Sequence, residues 1–161
     1  MVEGRASPIV RTAVAADLAR IVELLAQLSL GEEREDLRPP LPEAYARAFA
    51  EIEADSRQAL LVVEADGRVE GTLVVTVVPN LSHAGRPYAI VEDVVVDAAL
   101  RGSGYGRLLM LEAIEIAWWA DCYKVALTSN KVRLDAHRFY EGLGMTATHE
   151  GFRLELPLPN A

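Results

Sequence analysis

The chain has 161 residues, 51% of them apolar, enough for one hydrophobic core and a single domain spanning 1–161, and too apolar for a disordered polymer. Its formal net charge is −8, from 24 acidic and 16 basic residues, which disfavours nucleic acid as a partner, because non-specific affinity for it comes from basic surface. No apolar stretch is long and charge-free enough to span a bilayer, Met1–Ser7 carries Glu3 and Arg5 instead of an apolar signal core, and Cys122 is the single cysteine. No internal disulfide and no cysteine-based metal site can therefore form, His83, His137 and His149 are too scattered for a metal centre, and a cytoplasmic location is expected.

Ile9–Thr12 is expected to form a short strand. Leu18, Ile21, Leu25 and Leu28 recur at helical spacing with Arg20, Glu23 and Gln27 opposite, the pattern of an amphipathic helix. The polar, proline-bearing stretch from Gly31 to Pro42 is a loop, and a second helix is expected over Glu43–Ala54. Ala59–Glu64 and Val69–Val78 are rich in β-branched residues and flank Ala65-Asp66-Gly67-Arg68, where Asp-Gly signals a hairpin. A longer turn, Pro79–Pro87, leads into the strand Tyr88–Val96.

After that strand comes Arg101-Gly102-Ser103-Gly104-Tyr105-Gly106, then an apolar helix from Arg107 to about Ala120 that should be buried on much of its surface. Glycines at alternate positions build no core, but they let a backbone turn tightly and bring its N–H groups against an anion. The dinucleotide fingerprint fails, because its third glycine position is Arg107, and no Gly-Lys-Ser/Thr step supports a P-loop. What remains is R-x-x-G-x-G. Trp118 and Trp119 are read as core or dimer-contact residues. Lys124–Ser129 forms the next strand, and Val132, Ala136, Phe139 and Leu143 share a helical face that should meet the core. Gly142 and Gly144 end that helix. Phe152, Leu154 and Leu156 alternate with polar residues as a last strand, with one more expected near Thr146–His149.

Arg101, Gly104 and Gly106 resemble the Q/R-x-x-G-x-G/A motif of the GNAT superfamily of N-acetyltransferases, at the same strand–helix junction. Phe139-Tyr140-Glu141-Gly142-Leu143-Gly144-Met145 is similar to that family's F-Y-E-x-L-G-F segment. Ile9-Val10-Arg11 and Ala16-Asp17-Leu18 look like its opening strand and helix. The resemblance covers nearly the whole chain. It implies an α/β GNAT fold: a mixed central sheet of six to seven strands in the order β-α-α-β-β-β-α-β-α-β, with helices on both faces. It also implies acetyl-CoA as co-substrate, with no metal, and direct transfer of its acetyl group to a primary amine of a small molecule in a ternary complex. A non-catalytic acyl-CoA-binding module and a protein amino-group acetyltransferase are the alternatives, and a homodimer is common in the family.

For acetyl-CoA, the resemblance points to backbone groups of Val94, Val95 and Val96 for the pantetheine and thioester carbonyl. It points to Arg101, Gly102, Ser103, Gly104, Tyr105, Gly106 and Arg107 for the pyrophosphate. Many members carry Asn seven residues before the motif tyrosine, where this chain has Arg133. Either Asn130 takes over that contact or Arg133 reaches a phosphate.

Acetyl transfer to an amine needs a base, an oxyanion stabiliser and an acid for the leaving thiolate. Tyr140, in the family's tyrosine position, is the candidate acid; a phenol pKa near 10 against a thiol near 8.5 makes full proton transfer uphill by roughly 2 kcal/mol. Glu92 is the candidate base, since a carboxylate is unusual in an apolar strand, and it shares a face with Val94 and Val96 by the period of two. Burial would raise its pKa. Asp93 on the other face and a water chain are its rivals. The excess acidity would steer a cationic amine.

Overall fold

The computed structural model describes residues 7–31 and 33–156. Most of Met1–Ser7, on which the expectation about a leader rests, lies outside the described residues. The chain divides into two compact units, Met1–Leu127 and Thr128–Ala161.

The first unit holds one sheet of five strands, β1 (Ile9–Thr12), β2 (Gln58–Ala65), β3 (Arg68–Val78), β4 (Tyr88–Val96) and β5 (Val125–Ala126), in that spatial order. β1 to β4 pair antiparallel and β5 lies parallel to β4. A parallel neighbour needs a crossover, which α3 (Tyr105–Trp119) supplies. The β2–β3 hairpin turns at Asp66 (φ 51°) and Gly67 (φ 75°), both left-handed as a two-residue turn of this twist requires.

Leu61, Val62 and Val63 of β2 are all buried, so both faces of the sheet are covered. α1 (Leu18–Ala26) and α2 (Glu43–Ala54) cover one: Ile21, Leu24 and Phe49 close a cluster with Ala13, Val62, Val69 and Val95. Arg11 fixes the entry to α1. Its Nη1 and Nη2 donate to the two oxygens of Asp17 at 2.7 and 3.0 Å, and its Nε and Nη2 to Glu64 Oε2 at 2.9 and 2.7 Å. Asp17 in turn accepts the Val14 N–H at 2.8 Å, and its carboxyl is held below its ordinary value, first by the Arg11 hydrogen bond.

α3 buries Leu109, Met110, Ala113 and Ala117, but it is not buried as widely as its composition suggested. Leu108, Leu111, Trp118 and Trp119 are exposed, the last two at 69 and 74%. Trp118 and Trp119 are therefore not core residues; they meet edge to face at 4.8 Å. An apolar helix packed on one sheet face still has an opposite side, and composition cannot reveal what covers it. Among the described residues no helix is long and apolar enough to cross a membrane.

The second unit contains α4 (Leu134–Glu141), which stops before Gly144 at φ 85°. The sheet has five strands among the described residues, not six to seven. Thr146–His149 and Phe152–Leu156 have no ladder partner, and Phe152 stands 95% exposed. Alternation alone does not make a strand; the backbone must also find a neighbour to bond. The expected strand over Lys124–Ser129 shortens to Val125–Ala126 for the same reason, because β4 offers it a partner only at Ala89 and Ile90.

Candidate active site

The β3–β4 register slips once. Thr72 pairs with Val95 and Val74 with Glu92, so Asp93 and Val94 together oppose Leu73. This is a β-bulge, and its first residue, Asp93, sits at φ 55°. On its other edge β4 pairs with β5 only through Ala89 and Ile90, leaving the backbone from Glu92 to Val96 without a strand neighbour on that side in the first unit. The three valines expected to offer backbone groups thus lie on an open strand edge.

The extra residue breaks the period of two on which the reading of Glu92 rested. Glu92 is exposed, so the burial expected of it is absent. It is Asp93 whose carboxyl is raised above its ordinary value: solvent reaches the side chain, yet desolvation by the surrounding protein comes first and the nearby Glu35 carboxylate adds to it. Glu35 belongs to the loop between α1 and α2. Its Oε2 accepts the Tyr45 hydroxyl at 2.7 Å, and the Tyr45 oxygen accepts the Asp36 N–H at 3.0 Å. The Glu35 hydrogen bond leads the upward shift of the Tyr45 phenol. Nothing in the sequence marked Glu35 or Tyr45; only the fold of this loop brings a second carboxylate near the bulge.

Past Val96 the chain makes a short 3-10 turn, Ala98–Leu100, and enters Arg101–Arg107. Gly102 lies at φ 83° and Gly104 at φ 90°. A Cβ added at either would meet nothing within 4 Å, so these glycines are required by backbone conformation, not by space. Ser103 N–H donates to Leu100 O at 3.1 Å and Leu108 N–H to Gly104 O at 3.1 Å. Between them, Tyr105 and Gly106 begin α3, where a helix leaves N–H groups without intrahelical partners. The hexapeptide thus sets a left-handed glycine turn at a helix start, the kind of place where anions can bind. Gly71, unnoticed in the sequence, serves the same region: a Cβ there would stand 2.9 Å from Val95 O, so the close approach of β3 to the end of β4 depends on it.

The second unit holds Asn130, Arg133 and Tyr140. Asn130 Oδ1 accepts the Val132 N–H at 3.1 Å, which engages its carbonyl locally and leaves its amide hydrogens available. Arg133 stands at the start of α4 and lowers the Tyr140 phenol, but burial outweighs it and the phenol is raised overall. The Ser129 hydroxyl is shielded from water and has no hydrogen-bond partner among the described residues. Cys122, by contrast, offers no reactive thiol, since burial and then Asp121 push its pKa up. A cleft of about 480 Å³ beside Arg57, Pro79, Leu81 and Pro87 contains none of the expected site residues.

A mixed sheet whose parallel strands β4 and β5 are joined through a glycine turn and α3 is the kind of arrangement the sequence resemblance implied. Residues 25–145 match the model of the Acetyltransferase (GNAT) family. The chain is 33% identical over 146 residues to a glucosamine 6-phosphate N-acetyltransferase of Trypanosoma brucei brucei, covering 88% of this chain and 90% of that one. It is 37% identical over 117 residues to glucosamine 6-phosphate N-acetyltransferase 1 of Oryza sativa subsp. japonica, covering 70% and 67%. Among solved structures, a transcriptional regulator from Bacillus halodurans C-125 is similar with a TM-score of 0.89 and 40% identity, over 93% of this chain and all of that one (100%). The chain belongs to the GNAT acetyltransferase family, has its fold and is an N-acetyltransferase; enzymes of this family use acetyl-CoA.

Proposed function

We propose that this protein transfers the acetyl group of acetyl-CoA to the primary amine of a phosphorylated amino sugar. The observation that carries the donor half is the cradle, where Gly102 and Gly104 turn the backbone so that first-turn amides of α3 present donors to a pyrophosphate. The residues fit that group, since a helix start leaves N–H groups without intrahelical partners and two left-handed glycines turn the backbone there. The acceptor class rests on the names of the two glucosamine 6-phosphate relatives. A net charge of −8 speaks against a duplex-binding role like that suggested by the name of the Bacillus protein.

Within this reading Asp93 is the base. Its raised carboxyl makes it a better proton acceptor than an ordinary aspartate, and the bulge sets it beside the open edge of β4. Glu92, exposed on the same strand, orients the substrate ammonium or acts through water. An N–H of the Val94–Val96 edge polarises the thioester carbonyl. Tyr140 donates a hydrogen bond to the departing sulfur. Its raised phenol makes complete proton transfer more uphill than for a free tyrosine, so the donation accompanies expulsion without preceding it.

The test is CoA release with acetyl-CoA and a panel of glucosamine 6-phosphate, glucosamine, other small amines and a lysine peptide. Glucosamine 6-phosphate should give the highest kcat/KM, and no release above background with any sugar amine would overturn the assignment. Tyr140→Phe should lower kcat by about tenfold or more; an unchanged kcat would remove Tyr140 from the mechanism.

A further inference from the structure

We propose that Arg20 of α1 and Gln27, which caps it, are positioning residues for the donor site, holding the Asp97–Leu100 turn from which the Arg101–Arg107 cradle extends. The inference rests on the reading of that cradle as the pyrophosphate site of acetyl-CoA.

Arg20 of α1 and Gln27, the residue that caps the helix, are seven residues apart, about two helical turns, and so lie on one side. Arg20 is only 17% exposed. Its Nε donates to Val69 O at 2.9 Å, its Nη1 to Glu23 Oε2 at 3.0 Å, and its Nη2 to Glu70 Oε2 at 3.1 Å and to Asp97 Oδ2 at 2.6 Å. One guanidinium thus ties α1 to β3 and to the residue that ends β4. The planar fork matters, because an ammonium cannot reach these acceptors in the same fixed directions.

Every backbone N–H of the turn has an acceptor. Asp97 N–H donates to Glu70 O at 2.8 Å, Ala98 N–H to Gln27 Oε1 at 2.8 Å, Ala99 N–H to Asp97 Oδ1 at 3.0 Å, and Leu100 N–H to Asp97 O at 2.8 Å. The Arg20 hydrogen bond first, then the Ala99 N–H, hold the Asp97 carboxyl down at about 2, with Gln27 contributing, so it stays ionised through the neutral range. Leu100 O then takes the Ser103 N–H at 3.1 Å, which links the turn directly to the cradle. The four turn amides are taken up by Glu70 of β3, by Gln27 and by Asp97 itself, which Arg20 holds, while the amides beside them at the α3 start are the ones left for an anion. Ala98 and Ala99 are exposed, and their amide hydrogen bonds tie them down. A loop ordered before binding spends less of the binding energy on its own ordering, so loosening the anchor should weaken donor affinity and leave acceptor affinity alone.

The experiment is calorimetric titration of acetyl-CoA into Arg20→Lys, Gln27→Met and Gly104→Val, with acceptor KM and amide hydrogen exchange measured alongside. Gln27→Met and Arg20→Lys should each raise the acetyl-CoA Kd by about 3- to 10-fold, with acceptor KM within twofold of wild type. Amide exchange from Ala98 to Ser103 should speed up in the free protein and slow again with saturating acetyl-CoA. Gly104→Val should weaken acetyl-CoA binding by about 100-fold or more. If Gly104→Val weakens binding that far while both other variants bind like wild type, the positioning role is wrong and the cradle stands. If Gly104→Val binds like wild type, the cradle reading itself is wrong and takes the inference with it. Should Arg20→Lys fail to fold, Gln27→Met decides the question alone, because it removes one acceptor and strands no charge.

Discussion

In the proposed reaction the run Asp97–Arg107 serves the donor and the loop between α1 and α2, whose Glu35 lies near Asp93, serves the acceptor, and the two are held in different ways. The donor run is fixed through its backbone: two left-handed glycines, a saturated turn and a helix start. The loop between α1 and α2 is held by side chains: Arg38 Nε and Nη2 close on Asp36 at 2.9 and 2.5 Å, and Tyr45 bridges Glu35 and the Asp36 amide. Arg38 itself is 88% exposed. A cofactor shared by many enzymes is recognised by groups every residue has, whereas an acceptor peculiar to one enzyme needs particular side chains, and those sit naturally on loops. In the proposed reaction the bulge at Asp93 joins the two halves, because it interrupts the β4 ladder beside the expected donor edge and carries the carboxylate that Glu35 influences.

That contrast can be broken most directly at Gly104. Valine at φ 90° is strained although its side chain would meet no atom, so Gly104→Val should reduce acetyl-CoA affinity by about 100-fold or more, read by calorimetry, with acceptor binding untouched. A comparable loss of acceptor affinity would mean the halves are not separable. Next comes Asp93→Asn, expected to lower kcat about 100-fold, the range for loss of a general base. Below its pKa Asp93 is protonated and cannot accept, so the wild-type rate should fall with acid, with a midpoint above the ordinary carboxylate value, and this limb should be absent in the variant.

The same substitution has a stability consequence of opposite sign. A carboxyl raised in the folded state costs stability where it is ionised, above its folded pKa. Asp93→Asn should therefore raise Tm at neutral pH by on the order of 1–2 °C, discounted because solvent reaches the group, and the gain should disappear in acid. A variant that lost both activity and Tm would point to a structural role for Asp93. The smallest effect belongs to Tyr45→Phe. It removes the hydroxyl between Glu35 and Asp36 and should raise acceptor KM about two- to fivefold with donor affinity unchanged. A change in donor Kd alone would reverse the assignment of this loop.

Much of the scaffold is legible in the amino-acid order. Asp66-Gly67 dictates its hairpin, because positive φ at two successive residues is a local demand. Leu18, Ile21 and Leu25 mark α1 by spacing, and R-x-x-G-x-G marks the cradle, because a helix start and a glycine turn are each specified within a few residues. Glu92 shows the limit of such reasoning. Its expected burial and its shared face with Val94 and Val96 assumed an unbroken period of two, and one extra residue at Asp93 ends that period and leaves Glu92 exposed. Gly71 is invisible for a related reason, since the atom it must avoid belongs to Val95, 24 positions on in a different strand.

The order of elements, the hairpin, the glycine turn at the α3 start and the family were all written in the amino-acid order, because each depends on backbone preferences and spacings that neighbours along the chain impose. Only the tertiary structure decided which carboxylate is raised, how α1 grips the turn before the cradle, that the α3 tryptophans face outward and that the last alternating segments form no ladder. Register, desolvation and long-range ion pairs are properties of which segments meet, and no local pattern carries them.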